Sequence, residues 1–304
     1  MVSPKVAIII STYNQKKLLE ETLESLKKKT DYKNYKVYVV DDSGKGEIGK
    51  DIIKKFGWIN VIINKENKGF SGANNVGIKK ALKEYNPKYV LLLNDDTEII
   101  ERNWLNKMIE VAEKDNKVGI LGCKILYPDG SLQNVGGYIK KWKIELELNE
   151  NKKDVFEVDH VMGAFIIIRR ETIEDIGLLD EIYSPYLLED TDYCLRAKEK
   201  GWSIVSVPYV SIIHKKGKSI DSLDDGKRLL VRFKNDIIFS KKHLRGWNKF
   251  FRMFIYLPLV AIFKKRKDTD KLKLSKFSLR SRFLRNLKLW FIAFFPKMYK
   301  NKLK

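Results

Sequence analysis

The sequence is poor in the residues that most often carry redox, covalent or zinc chemistry. Its 304 residues include only two cysteines and three histidines. Two cysteines in a chain of this length build no disulfide framework, and Cys123 and Cys194 lack the spacing of a zinc site. The composition therefore excludes a disulfide-stapled secreted domain. It favours a reduced, cytoplasmic setting and a chain long enough for one large domain or one and a half.

An export signal and long apolar runs are also missing. Residues Met1–Lys5 lead directly into a strand-like run, Val6–Ile10, without the basic, apolar and small-residue zones of a signal peptide. The two aromatic-rich apolar segments, residues 250–263 and 289–295, are shorter than the roughly 20 residues that cross a bilayer. These patterns predict a protein that is neither exported nor membrane-spanning.

Acidic residues are almost absent from the last fifth of the chain. The net charge is +21, and residues 241–304 contribute +18 of it, from 20 Lys and Arg against two Asp. Cationic residues around aromatic segments are typical of helices that lie on an anionic membrane. The same pattern also fits packed amphipathic helices with a solvated basic face. Nucleic acid is not an expected partner, because no helix-turn-helix, zinc-finger or RNA-recognition motif accompanies the charge.

Both common glycine-rich phosphate motifs are lacking. No dinucleotide fingerprint follows the first strand and no P-loop is present, which argues against a dehydrogenase and a P-loop enzyme. Residues 5–93 instead alternate between extended and helical patterns, which predicts a parallel, right-handed, doubly wound α/β sheet. The predicted strands are 6–11, 36–40, 58–63 and 89–93, and the predicted helices are 15–29, 48–56 and 70–85.

The most informative segment is a short apolar run, Tyr89–Leu93, that ends in Asn94, Asp95 and Asp96. Such a run predicts a buried parallel strand, and ligands of open α/β sheets bind at the carboxyl ends of the strands. Two carboxylates there suit a divalent cation that holds a substrate's phosphates. A solvated loop is the alternative. Three further strands also end in polar clusters, at residues 11–14, 41–43 and 64–67.

A helix start with two glycines follows the third strand. Gly69 and Gly72 would allow close approach of a ligand, and the helix N-terminus would favour its negative charge. A plain turn before a helix is the structural alternative. Residues 118–168 are predicted to be β-rich, and Gly163 precedes a strand at 166–168, where small residues admit either an acceptor sugar or a tight core contact.

A second acidic cluster opens a predicted helix near residue 189. Glu189, Asp190 and Asp192 lie in its first turn, where carboxylates also act as simple helix caps. Asp192 and Arg196 are four residues apart, which predicts an ion pair on the helix surface. His214 follows an extended run and precedes Gly217, and it could be a metal ligand or a surface side chain.

Seven motifs, in this order along residues 5–220, resemble those of the family 2 inverting glycosyltransferases, which have the GT-A fold. The resemblance is strongest to rhamnosyltransferase-like and galactofuranosyltransferase-like members. The motifs are Ser11–Asn14, Val39–Ser43, Asn67–Asn74, Leu92–Asp96, Gly163–Phe165, Glu189–Arg196 and His214–Ser219.

The resemblance implies roles for individual residues. Asp190 would be the catalytic base, and Asp96 with His214 would bind Mn²⁺ or Mg²⁺. The family motif has Asp where this chain has Asn94, so Asn94 is assigned to the donor rather than to the metal. Glu189 and Gly163 would contact the acceptor or support the site. The donor-binding residues would be Thr12, Asn14, Asp41, Asn67, Gly69, Gly72, Asn74, Asn94 and Asp95.

The resulting expectation is a metal-dependent inverting glycosyltransferase. A GT-A domain, Rossmann-like with a mostly parallel sheet flanked by helices, would span residues 1–220. A basic, amphipathic helical extension would span residues 221–304 and lie at the inner face of the cell membrane. The donor would be a UDP or dTDP sugar, and the acceptor a hydroxyl of a glycan or lipid-linked molecule in cell-surface polysaccharide synthesis. The alternatives are a nucleotidyltransferase and a non-catalytic carbohydrate- or lipid-binding protein.

Overall fold

A computed structural model describes residues 3–141, 143–149, 151–215 and 225–256, and the structural statements below refer to these residues. They fall into two compact units. The first contains residues 3–140, 144–149 and 151–215, and the second contains residues 225–256 together with residues 141 and 143. The aromatic segment predicted at residues 289–295 and the end of the motif that begins at His214 lie outside the described residues.

The first unit contains twelve described strands and six described helices. The strands are β1 (Val6–Thr12), β2 (Tyr35–Asp41), β3 (Asn60–Ile63), β4 (Tyr89–Leu93), β5 (Thr97–Ile99), β6 (Val118–Leu126), β7 (Leu132–Asn134), β8 (Gly137–Lys140), β9 (Lys143–Leu146), β10 (Phe156–Glu157), β11 (Phe165–Arg169) and β12 (Ser203–His214). The helices are α1 (Lys16–Lys29), α2 (Glu47–Lys55), α3 (Gly69–Tyr85), α4 (Trp104–Lys114), α5 (Arg170–Ile176) and α6 (Glu189–Glu199).

Ten of these strands form one twisted sheet, in the order β10-β12-β6-β11-β4-β1-β2-β3, with β5 paired to β12 and β7 paired to β6. The strands from β4 to β3 are parallel to one another, as the alternation of strands and helices predicts. Strand β11 runs antiparallel between β4 and β6. The predicted α/β fold is confirmed.

The central strands are apolar along their whole length because helices cover both faces of the sheet. In β1, for example, Val6, Ile8 and Ile10 pack into one hydrophobic core, and Ala7 and Ile9 pack into the other. Helices α1, α2 and α4 contribute to the first core, and α3, α5 and α6 contribute to the second. The period of two along each strand therefore divides the chain's apolar residues between two layers.

The second unit is helical. It comprises α7 (Asp225–His243), α8 (Gly246–Phe250) and a π-helical segment, Phe251–Tyr256. Inside it, the guanidinium of Arg252 lies 2.6 Å from the carboxylate of Asp236, and both side chains are buried. No described helix is long and apolar enough to cross a membrane.

A glycine in α3 allows this helix to lie close against the sheet. A Cβ atom on Gly77 would lie 2.4 Å from Cγ2 of Ile9 and 3.1 Å from Cγ2 of Val40. Real Cβ atoms do not approach other atoms that closely, so a side chain here would push the helix away from β1 and β2. The position of α3 matters because its first turn borders the site described below.

We predict that Gly77→Ala destabilises the fold. The clash should outweigh the gain of about 1 kcal/mol in helix propensity and lower the free energy of unfolding by about 1–3 kcal/mol. Urea denaturation followed by circular dichroism measures this change. Gly57→Ala is the matched control, because a Cβ atom there meets nothing within 4 Å. Equal stability of the two variants would contradict the proposed close approach.

Candidate active site

The polar ends of the central strands meet at one edge of the sheet. The register of β1 and β2 places Thr12 beside Asp41, and β4 ends next to them at Asn94 and Asp95. The pKa of Asp95 is raised to about 7, mainly by burial and also by the charge of Asp96, while a hydrogen bond from the Thr12 side chain opposes the shift. The structure thus brings together residues that the sequence assigned to donor binding, on three strands.

The two acids that follow β2 hold the surrounding backbone. Asp41 is fully buried, and its carboxylate accepts hydrogen bonds from the backbone N–H groups of Ser43 and Gly49, at 3.0 and 2.8 Å. Asp42 accepts hydrogen bonds from Lys68 and Gly69, each at 3.0 Å. Burial raises the pKa of Asp42, and these hydrogen bonds oppose the shift. Asp42 was not among the predicted site residues, although it is the second acid of an obvious pair.

The first turn of α3 packs against the loop that leads to α6. Gly69 has a φ of +69°, and a Cβ atom there would lie 3.0 Å from the backbone of Pro185. The N–H of Phe70 donates to the carbonyl of Pro185 at 3.0 Å. Asn67 accepts a hydrogen bond from the N–H of Gly69 at 2.8 Å. The glycine is therefore required by backbone geometry and by close packing, in addition to any role in ligand binding.

Three other predicted donor residues lie along the same edge. Asn14 has a φ of +56° in the loop after β1. Asn74 is buried and donates to the hydroxyl of Ser11 at 3.2 Å and to the carbonyl of Phe70 at 2.9 Å. A Cβ atom on Gly72 would lie 2.7 Å from Cβ of Lys68. Contacts of these residues with a donor remain predictions.

Asp96 and His214 approach each other closely, as a shared metal site requires. Both side chains are buried, and Nε2 of His214 lies 3.2 Å from Oδ1 of Asp96. The amide of Asn94 lies 3.5 Å from the same nitrogen. Nδ1 of His214 lies 2.8 Å from Oε1 of Gln133, which as an amide oxygen accepts a hydrogen bond from an Nδ1–H group. Nε2 must then either carry a second proton or point a lone pair towards a carboxylate.

This donor set fits a divalent cation. A carboxylate oxygen and a neutral imidazole nitrogen repel each other at 3.2 Å unless a proton or a cation lies between them, and both atoms are ligands that Mn²⁺ accepts. Within the described ranges, no group of three or more His, Cys, Asp or Glu side chains could hold a metal ion. A cation at Asp96 and His214 would therefore complete its coordination with substrate oxygens or water.

Asp190 lies in the first turn of α6 with its carboxylate partly accessible. One oxygen accepts a hydrogen bond from the N–H of Gly163 at 2.8 Å, and the other accepts one from the N–H of Thr191 at 2.7 Å. The two residues before α6, Leu187 and Leu188, have φ values of +81° and +75°, which are costly for side chains of this size. Glu189 is buried.

Asp192 differs from Asp190 in its surroundings, and here the sequence-based interpretation was wrong. The predicted ion pair with Arg196 forms at 2.9 Å, but Asp192 is fully buried rather than on the helix surface. The hydroxyl of Tyr183 donates to the same carboxylate at 3.0 Å. Arg196 also donates to the carbonyls of Ile176 and Leu178. Asp192 therefore anchors α6, which leaves Asp190 as the accessible acid of this turn.

The two-residue segment Gly163–Ala164 connects the acidic end of β4 with the carboxylate of Asp190. The N–H of Asn94 donates to the carbonyl of Ala164 at 3.1 Å, and the preceding Gly163 donates to Asp190. A single peptide unit thus lies between the acidic end of β4 and the carboxylate of α6. Gly163 has little room for a side chain, because a Cβ atom there would lie 3.2 Å from Oδ2 of Asp190.

Residues 7–177, more than half of the chain, match the model of glycosyl transferase family 2. The chain belongs to glycosyl transferase family 2. This confirms the family that the motifs of the sequence indicated. The match includes the ends of β1, β2 and β4, and Asp190 and His214 lie beyond its C-terminal boundary.

Relatives and solved structures agree with the family. The O-antigen biosynthesis protein RfbC of Myxococcus xanthus is 25% identical over 71% of this chain, and the dTDP-rhamnosyl transferase RfbF of Shigella flexneri is 24% identical over 70% of each chain. The chain spans only 27% and 18% of the length of two of its curated relatives. The crystal structure of GalNAc-T7 with UDP, GalNAc and Mn²⁺ shares the fold, with a TM-score of 0.63 at 16% identity over 97% of this chain and 58% of that one.

His160 is a titratable residue beside Asp190 that lies outside the seven sequence motifs of the family. His160 is buried, and among the residues that the structure describes neither of its ring nitrogens has a hydrogen-bond partner. Its ring packs on Gly137, where a Cβ atom would lie 2.2 Å from Nε2. Burial lowers the pKa of His160, and the charges of Asp190 and Asp159 oppose the shift. Apart from the rarity of histidine, no sequence pattern points to this residue.

We predict that His160 makes the fold sensitive to mild acid. Because the pKa of His160 falls on folding, the unfolded chain binds the proton more readily, and stability is lost as the pH falls below the ordinary value of 6.5. The thermal midpoint of the unaltered protein should therefore fall more between about pH 7.5 and 5.5 than that of His160→Gln. His243→Gln is the control and should keep the original pH dependence. Parallel profiles for the protein and His160→Gln would refute the prediction.

Proposed function

We propose that the chain is a metal-dependent inverting glycosyltransferase that uses a nucleoside-diphosphate sugar as donor. The observation that carries the proposal is the peptide unit at Gly163 and Ala164, which holds Asp190 next to the acidic end of β4. A general base and a diphosphate-binding cation must act on opposite sides of one anomeric carbon. The arrangement of Asp190, Asp96 and His214 supports both roles within one site.

Asp190 is the proposed catalytic base. It would accept the proton of an acceptor hydroxyl while that oxygen forms a bond to the anomeric carbon. The bond from this carbon to the diphosphate breaks in the same displacement, so the configuration inverts and no covalent enzyme intermediate forms. Oδ1 of Asp190 accepts hydrogen bonds from the N–H and the hydroxyl of Thr191. Within the described residues, Oδ2 accepts one from the N–H of Gly163 and retains a second lone pair for the acceptor. Gly163 and Thr191 thereby fix the direction of that lone pair.

Asp96 and His214 are the proposed metal ligands. A Mn²⁺ or Mg²⁺ ion bound to them would offset the negative charge that develops on the departing diphosphate, a contribution of several kcal/mol. Asn94, with its amide 3.5 Å from His214, and Asp95 would face the donor. The residues at the ends of β1 and β2 and at the start of α3 would hold the nucleoside and the diphosphate.

The biological role that we propose is the synthesis of a cell-surface polysaccharide or glycoconjugate. The names of the similar proteins from Myxococcus and Shigella support this role, and the Shigella name supports a dTDP sugar as one donor candidate. UDP is the other candidate, since the solved relative contains it. The acceptor would be a hydroxyl of a glycan or of a lipid-linked sugar.

The second unit supports a peripheral position at the inner face of the cell membrane. Trp247, Phe250 and Phe254 are 70%, 47% and 47% exposed, respectively. The rings of Trp247 and Phe250 stack with centroids 5.4 Å apart, and the ring of Phe254 is tilted against that of Phe250 with centroids 5.2 Å apart. Exposed Lys241 and Arg245 lie in the adjoining turns. An exposed aromatic row beside cations is suited to the headgroup region of an anionic bilayer. Residues 221–304 would form this extension, next to a catalytic domain of residues 1–220.

We predict that a variant of Asp96 loses metal-dependent donor binding, whereas a variant of Asp190 loses sugar transfer. Asp96→Ala should lose the Mn²⁺-dependent rise in thermal midpoint that the correct nucleotide sugar produces, because the bound donor no longer stabilises the fold. Asp190→Asn should keep that rise and lose transfer by about 100-fold or more. A panel of UDP and dTDP sugars, with release of free nucleoside diphosphate as the activity readout, provides both measurements.

Several results of this assay would count against the proposal. Full transfer by Asp190→Asn would exclude Asp190 as the base. Pyrophosphate released from a nucleoside triphosphate would indicate a nucleotidyltransferase, and sugar binding without turnover would indicate a non-catalytic carbohydrate-binding protein. Asp192→Asn is a useful comparison. It should lower stability, because Asp192 is buried between Tyr183 and Arg196.

We predict that the aromatic row carries membrane binding. Replacing Trp247, Phe250 and Phe254 together by Ser should reduce co-sedimentation with vesicles rich in phosphatidylglycerol by about tenfold or more, because three apolar rings no longer enter the bilayer. Tyr209→Ser is the control, since Tyr209 is a similarly exposed aromatic residue of the first unit. Unchanged sedimentation of the triple variant would show that the row does not bind lipid.

A further inference from the structure

Gln133 contacts His214 on the ring nitrogen that faces away from Asp96. Its Oε1 lies 2.8 Å from Nδ1 of His214, and both side chains are buried. A side-chain amide oxygen can only accept a hydrogen bond, so Nδ1 must carry the proton. In a neutral ring, the lone pair then lies on Nε2, which is 3.2 Å from Asp96.

Strand pairing fixes this contact, although 81 residues separate the two side chains. The C-terminal end of β6 pairs with β7 on one side and with β12 on the other. Leu126 is opposite Leu132 in β7 and opposite Ile213 in β12. Gln133 and His214 each follow a residue that pairs with Leu126, so both lie beside the C-terminal end of β6, on the two strands that flank it. Neither can move without disturbing a ladder of backbone hydrogen bonds.

We propose that Gln133 is a positioning residue for the metal ligand: it holds His214 in the tautomer with the proton on Nδ1 and directs the Nε2 lone pair at a cation shared with Asp96. The inference rests on the metal site of the proposed function. Metal-binding imidazoles commonly donate their other N–H to an oxygen acceptor, which fixes the orientation and tautomer of the ring. Here a neutral amide does so, and the sequence motifs do not include it.

The first experiment measures Mn²⁺ affinity without any nucleotide or sugar, from the electron paramagnetic resonance signal of free Mn²⁺. Gln133→Leu has nearly the same size and no acceptor, and we expect it to bind Mn²⁺ about 10–100-fold more weakly. Gln133→Glu keeps an oxygen acceptor and should bind within about threefold of the unaltered protein. Thermal unfolding without metal shows whether each variant is folded.

A second experiment observes the tautomer directly in the unaltered protein. Long-range ¹H–¹⁵N spectra at a pH where the rings are neutral should show His214 protonated on Nδ1, with the signal assigned by its loss in His214→Ala. Gln133→Leu should shift His214 towards the Nε2-protonated form. This measurement needs no activity and no bound metal, and in the unaltered protein it does not depend on the folding of a variant.

The outcomes separate this inference from the proposed metal site. Weaker Mn²⁺ binding by both His214→Ala and Gln133→Leu, with affinity kept in Gln133→Glu, supports the inference. Weaker binding by His214→Ala alone keeps the metal site and overturns the role of Gln133. Unchanged affinity in His214→Ala overturns the metal site itself and this inference with it. An Nε2-protonated His214 in the unaltered protein also overturns the inference.

Discussion

The antiparallel pairing of β11 with β4 is the constraint on which the candidate active site depends. Phe165 lies opposite Leu93 in this register, so the residues just before β11 meet the residues just after β4. Ala164 then receives a hydrogen bond from Asn94, and Gly163 donates one to Asp190. A shift of one residue would turn the side chains of β11 to the opposite face of the sheet. It would also separate the carboxylate of α6 from the acids of β4.

Carboxylates at the site divide between those that hold the backbone and those that remain accessible to a substrate. Asp41, Asp42 and Asp192 are buried and accept hydrogen bonds from backbone or side-chain groups of neighbouring segments. They keep the loops in place before any ligand arrives, which reduces the entropy that binding would otherwise cost. Asp190 keeps part of its surface exposed, and Asp96, although buried, has one carboxylate oxygen 3.2 Å from the imidazole of His214.

The helices and the order of the first strands could be predicted from the sequence, but the pairing of strands that lie far apart in the chain could not. Helices α1 and α3 begin and end within a residue or so of the positions that their apolar spacing indicates, because that spacing is a property of the helix itself. The insertion of β11 between β4 and β6 depends on contacts between distant segments. The motifs identified Asp190, Asp96 and His214, but Gln133 and His160 have no local signal. Gln133 lies in β7 and His160 pairs with Gly137 in an isolated bridge, so both positions depend on pairing between distant segments.

The contact between Gly69 and Pro185 limits how the substrate selectivity of the candidate site can be changed. The start of α3 belongs to the proposed donor side, and the loop at Pro185 leads to the base on the proposed acceptor side. A side chain at residue 69 would press into the backbone of that loop. The proposed donor and acceptor sides are therefore in direct contact here, and a substitution that changes selectivity for one substrate also affects selectivity for the other. A library that varies residues 67–72 to admit another sugar would need to vary residues 184–188 as well.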